Sequence, residues 1–214
     1  MKRQQFLRFF ICNLLLALSI MLLVKFTIIF TKPQFDKADA IDLENIALQT
    51  EEKMQETVEA LKGFALFLLL AVILFVLAFI IIWSFFQSLA YHPFQLRFFE
   101  KFLVLNVILI IPTTILFILS LYAGRNLIFP VILLFLALHF MLFIYPVFAK
   151  EPELRRIGAG IKLSITKFPK LLIPYIAIAV TFIITSFINL DIISPLLYIV
   201  LFSWVQHYTR NLVR

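Results

Sequence analysis

Few side chains within the hydrophobic stretches of this 214-residue chain could do chemistry: a histidine in the middle of one apolar run, a cysteine near the start of another and scattered polar residues. His139 lies inside the run 127–149, whereas His92 and His207 stand at run ends, and no Cys or carboxylate lies within helical reach of His139. A lone imidazole so placed reads as hydrogen-bonded to a neighbouring helix rather than as a metal ligand. Cys12, the single cysteine, excludes an intramolecular disulfide and reads as a small hydrophobe. The apolar runs contain no Asp or Glu, and the chain has no H-E-x-x-H and no G-x-S-x-G. Acid–base, metallo and aspartyl chemistry therefore lack carriers, and the expectation is a non-enzyme with no catalytic, metal or cofactor residues.

Transport needs less: buried polar groups and broken helices suffice. Prolines fall within the runs at Pro112, Pro130, Pro146 and Pro174. Asn106, Thr113, Thr114 and Ser120 lie in the third run, and Thr181, Thr185, Ser186 and Asn189 in the fifth. A transporter would line a mid-depth cavity with Asn106, Thr113, His139 and Thr181. Against this, Ser and Thr in spans commonly bond to their own helix backbone, and no acid is present to pair with a proton or cation.

The elements that would hold these residues follow from composition. The chain is 63% hydrophobic and 14% charged, with a mean hydropathy of +1.05, too apolar to cover a water-soluble globule. An all-α, polytopic integral membrane protein is expected, a single membrane domain over 1–214 in the cell membrane. Its spans are read at 6–30, 64–90, 102–122, 127–149, 171–190 and 192–208. The sixth is shorter and opens with Asp191, Ser194 and Pro195, an N-cap followed by proline in the first turn; it either spans or forms a half-inserted hairpin with the fifth. The basic start of the chain could head a signal peptide, but the first run is too long for one and reads as an uncleaved anchor.

Charge sets the orientation. Thirteen Lys and Arg fall on one side of these spans and five on the other, which places both termini in the cytosol. The net charge of +7 is thereby explained as loop charge, with no basic soluble domain to bind nucleic acid. The outer segment 31–63 is acidic and reads as helix from Asp42, with Leu43, Ala47, Met54, Val58 and Leu61 in one apolar stripe, running through Gly63 into the second span.

Each longer cytosolic loop carries a proline followed by an amphipathic stretch. After Pro93 come Phe94, Phe98, Phe99 and Phe102; after Pro152 come Leu154, Ile157, Ile161, Ile165 and Phe168, with Pro169 ending the pattern. These leaders, with a third at Phe6, Phe9 and Phe10, read as helices in the headgroup plane, and Leu7-Arg8-Phe9-Phe10 recurring as Leu96-Arg97-Phe98-Phe99 suggests three repeated units. The basic flank Arg155, Arg156, Lys162, Lys167 and Lys170 would then meet anionic headgroups of the bilayer. Gly63, Gly124, Gly158 and Gly160 all fall outside the runs, so helix packing is expected to rest on Ala, Ser, Thr and interdigitated Phe and Leu.

The stretch Gly158-Ala-Gly160-Ile-Lys162-Leu-Ser164-Ile-Thr-Lys167-Phe168-Pro-Lys170-Leu-Leu resembles the cytosolic segment before the fifth span in uncharacterised six-helix prokaryotic membrane proteins. Those proteins are related to the membrane domain attached to some glycerophosphodiester phosphodiesterases. Pro169 departs from the aromatic expected there. The resemblance covers about twenty residues and the hairpin layout. It implies a membrane-embedded helper domain with no catalytic residues to carry over. The function expected is a scaffold, a lipid-organising protein or a subunit binding other membrane proteins, with a small-solute permease or channel as the alternative.

Overall fold

Lipid offers a backbone no water to bond with, so a chain this apolar must satisfy its peptide groups within helices. The computed structural model describes residues 2–39, 51–123, 128–188 and 193–213, and helices are the only regular elements among them. There are six: α1 (Lys2–Asp39), α2 (Glu51–Tyr91), α3 (Leu96–Ala123), α4 (Ile128–Lys150), α5 (Arg156–Ile188) and α6 (Ile193–Val213). The first five are long and apolar enough to cross a membrane. At 38 and 41 residues, α1 and α2 reach about 57 and 62 Å, twice the roughly 30 Å of a hydrocarbon core. The 21 residues of α6 are long enough but not apolar enough to join them, because Gln206, His207, Arg210 and Asn211 occupy its last turns.

Prolines shape these helices less than the sequence suggests. Pro33, Pro112, Pro146, Pro169 and Pro174 all lie inside helices, as an apolar surrounding permits once helix is the only way to satisfy the remaining peptide groups. Pro93 and Pro152 do not open helices. They follow the ends of α2 and α4, and α3 and α5 begin three and four residues later, at Leu96 and Arg156, so these prolines act as stops. Pro195, by contrast, sits in the first turn of α6 as expected.

The three leaders are not separate helices. Each is the opening of a long one, and Pro169 does not divide α5. Phe9, Phe98 and Phe102 are buried, so these three of the aromatic residues read as membrane-surface contacts go into the core, whereas Phe94 is exposed and Phe6, Phe10 and Phe99 are half-buried. The stripe after Pro152 behaves differently: Leu154, just before α5, and Ile161, Ile165 and Phe168 on it are exposed, and α5 meets its neighbour through Gly160 and Ser164.

The chain forms two compact units. In the first, residues 1–17 and 83–214, α4 is central and packs on α3, α5 and α6. From Met141 to Pro146 it is buried on every side, while its first half is largely exposed. Gly160 explains the closeness of α5: a Cβ built there would stand 2.8 Å from the Ile144 Cα and 2.9 Å from its Cγ1. Close approach through glycine is thus used here, at a residue that the sequence places in a loop, because α5 begins earlier than expected.

The second unit, residues 18–82, contains the remainder of α1 and the first three quarters of α2. Phe30 meets Phe67 at 5.6 Å and Phe35 meets Phe64 at 5.2 Å between ring centroids, which makes the two helices antiparallel. Helix α2 runs from Glu51 through Gly63 without a break, as expected, and Met54 and Val58 are exposed. Asp42, Leu43 and Ala47 lie outside the described residues, as do Asp191, Asn189 and Gly124.

Candidate functional site

Buried polar side chains gather in the first unit, on one face of each contributing helix. On α2, Ser84, Gln87 and Ser88 recur at helical spacing with Tyr91; on α6, Ser203, Gln206 and Thr209 do the same; Asn13 on α1 and Asn106 on α3 complete the set. Ser84, Gln87, Asn106, Ser203 and Thr209 have no exposed surface at all. A polar group so placed is costly unless bonded, so the partners matter.

Two chains of hydrogen bonds account for most of them. In the first, the Asn13 amide donates to Ser203 Oγ and to Gln206 Oε1, both at 2.9 Å, and Gln206 Nε2 donates to Gln87 Oε1 at 3.1 Å. Ser203 passes its own proton to the Ile199 carbonyl at 2.6 Å. Helices α1, α6 and α2 are thereby tied by three carboxamides in series. In the second, Trp83 Nε1 donates to the Tyr145 hydroxyl at 2.7 Å, Tyr145 donates to Asn106 Oδ1 at 2.5 Å, and Asn106 Nδ2 donates to Ser84 Oγ at 3.0 Å. This chain ties α2, α3 and α4.

Aromatic rings seal the space between the chains. Tyr91 packs edge-on to Phe9 at 5.1 Å and stacks with Phe102 at 6.2 Å, and Phe102 meets Tyr145 at 5.5 Å and Phe148 at 5.4 Å. The Arg210 guanidinium lies over both Phe9 and Tyr91, 5.8 and 5.7 Å from the ring centroids, a cation–π arrangement at the rim of the core. Three buried polar atoms in this region have no hydrogen-bond partner: Asn13 Oδ1, Gln87 Nε2 and the Tyr91 hydroxyl. The first amide chain therefore begins with a spare acceptor and ends with a spare donor.

The residues expected to line a transport cavity take separate partners. Asn106 belongs to the second chain. Thr113 and Thr181 bond to their own helices, at the Leu109 carbonyl (2.6 Å) and the Ala177 carbonyl (2.8 Å). His139 joins α4 to α5, with Nδ1 2.5 Å from the Tyr175 hydroxyl and Nε2 3.3 Å from the Ser164 carbonyl. Among the described residues no group of His, Cys, Asp and Glu is placed to hold a metal. Cys12 is buried.

Of the basic residues expected to meet anionic headgroups, Arg155 pairs with Glu153 and Arg156 with Glu151 in the short α4–α5 connection. Lys162 and Lys170 are exposed on α5 and Lys167 is half-buried. Near Arg156 a cavity of about 260 Å³ opens between the ends of α4, α5 and α6, with Lys150, Glu151 and Arg156 among its lining residues. Asn13, Ser84, Gln87 and Ser203 are not singled out by composition or motif, and the signal that marks them is spacing: polar residues three or four apart inside otherwise apolar runs share one helix face. Comparison with protein-family models, with curated proteins and with solved structures finds no match for this chain.

Proposed function

We propose that this chain is a non-catalytic, multi-pass membrane component, a scaffold that organises lipid or binds other membrane proteins, with six spans and both termini in the cytosol. The observation that carries this reading is where the buried polar groups spend their hydrogen bonds. Asn13, Gln206, Gln87, Asn106, Tyr145 and His139 each bond to a neighbouring helix, so they serve as fasteners between helices rather than as a lined path or a reactive centre. The outward-facing side chains along the helices, Leu22, Leu66, Ile132 and Ile173 among them, offer apolar surface to lipid or to partner helices.

A second reading, a small-solute permease, is favoured by one observation: Asn13 Oδ1, Gln87 Nε2 and the Tyr91 hydroxyl are buried without partners, as groups that bind a passing polar solute would be. Proteoliposomes separate the two. The scaffold reading expects stopped-flow shrinkage with glycerol and urea, and ion flux, to match protein-free vesicles, and expects a lipid or membrane-protein partner at fixed stoichiometry after purification in mild detergent. Solute flux abolished by Gln87→Leu would replace it with the permease reading.

A further inference from the structure

We propose that the cavity between the ends of α4, α5 and α6 binds the phosphate of an anionic phospholipid, with Lys150 and Arg156 as its cationic contacts. At about 260 Å³ the cavity falls below the size of a pocket that encloses a drug-sized ligand, so it takes a headgroup phosphate and its glycerol while the acyl chains leave for the bilayer. Its walls suit that division: Val147, Ala159, Leu163 and Val213 are apolar, and the charged lining residues are Lys150, Glu151 and Arg156.

Charge favours an anion. Among the described lining residues two cations face one carboxylate, and the cations are not fully engaged. Lys150 donates to the Val213 carbonyl at 2.7 Å, a neutral acceptor, and has no carboxylate partner among the described residues. Arg156 meets Glu151 through Nη2, while its buried Nε has no hydrogen-bond partner. The Arg156 side chain is 40% exposed, and turning it to a phosphate gives Nε the acceptor it lacks, in the geometry guanidinium groups prefer. Helix α5 begins at Arg156, so its positive end lies beside the cavity, which Arg156 and Ala159 line. The ends of α4 and α6 oppose this with their carbonyls, and Lys150 on the Val213 carbonyl offsets that opposition.

Position argues for lipid as the source. Lys150 closes the apolar length of α4, so the cavity opens where hydrocarbon gives way to headgroups. Lys162, Lys167 and Lys170, which the sequence offers equally, are not among the cavity's lining residues. The inference rests on the reading of the chain as a membrane component. It is indifferent to whether that component is a scaffold or a permease, so solute flux would overturn the scaffold reading and leave this site standing.

The test uses the full chain in neutral detergent and follows its thermal unfolding as phosphatidylglycerol, phosphatidylcholine, glycerol 3-phosphate or inorganic phosphate is added. Phosphatidylglycerol is expected to stabilise saturably and the others weakly or not at all. The pair Lys150→Gln with Arg156→Gln should raise the half-saturating lipid concentration about tenfold or more, the loss expected when charge-assisted hydrogen bonds are removed. Since Lys150 also caps α6, Ala159→Leu provides an independent arm: it fills the cavity, keeps every charge and should give a similar loss. Lys162→Gln with Lys167→Gln should leave binding unchanged. Equal loss in that last pair would mean a diffuse basic surface, and equal stabilisation by inorganic phosphate would mean a soluble-anion site; either overturns the proposal, as does full retention in the Ala159→Leu variant.

Discussion

At the scale of single residues, Gln206 has the most to lose. It accepts from Asn13 with one end of its amide and donates to Gln87 with the other, and both partners are buried. Replacing it by Leu strands the Gln87 carbonyl and removes one of the two acceptors of Asn13. A buried group left without its partner costs about 1–3 kcal/mol, moderated in membrane proteins where side-chain hydrogen bonds average nearer 0.6 kcal/mol. We expect Gln206→Leu to destabilise by about 1–2 kcal/mol on that basis. Gln87→Leu removes an amide whose nitrogen already lacks a partner, so it should cost less. Reversible unfolding in mixed micelles gives both values, and an equal or smaller loss for Gln206→Leu would show that the amide chain does not fasten the helices.

Why these residues were hard to read in advance is a matter of period. An apolar run of membrane length announces itself by composition, and the five longest runs all lie in helices long and apolar enough to cross a membrane. A single Gln or Asn within such a run announces only that it is unusual. Which neighbour it meets depends on helix rotation and register, which composition leaves open, so Asn106 was legible as a buried polar residue but its link to Ser84 and Tyr145 was not.

At the scale of elements, α5 shows the limits of proline as punctuation. Pro152 and Pro169 bracket an amphipathic stretch, and in water they would bound a helix. In this chain the first stops α4 and the second is absorbed inside α5. The consequence is that Gly158 and Gly160, equivalent in sequence, differ in structure. A Cβ at Gly158 meets nothing within 4 Å, whereas one at Gly160 strikes the Ile144 backbone at 2.8 Å. The same substitution should therefore have opposite signs two residues apart. Gly158→Ala is expected to stabilise by up to about 1 kcal/mol through helix propensity. Gly160→Ala is expected to destabilise by about 1–3 kcal/mol, since α5 must shift away from α4. Thermal unfolding of the two variants side by side checks this, and a stabilising Gly160→Ala would mean that α5 does not lie against Ile144.

At the scale of the whole molecule, the charge asymmetry and the first unit's core converge on one end of the bundle. The buried amides and aromatics lie near the start of α1, the ends of α2, α4 and α6 and the starts of α3 and α5. Those are the ends that carry thirteen of the nineteen basic residues on the six-span reading. Lys150 reaches the Val213 carbonyl, so the end of α6 stands beside the end of α4, and α6 returns toward the level where α5 begins. At about 32 Å, α6 has the length to cross a hydrocarbon core despite its polar last turns. The expected topology therefore has Gln95, Glu153 and Asn211 on the cytosolic side and Glu56 outside. All four are charged or amide side chains, so single cysteines at these positions in a Cys12→Ser background should be tolerated. A membrane-impermeant maleimide applied to intact cells should label only the cysteine at 56, and the other three should react once the membrane is opened. Labelling at 211 from outside, with 95 and 153 protected, would reduce the crossings to five and leave α6 on the outer side, not crossing the membrane.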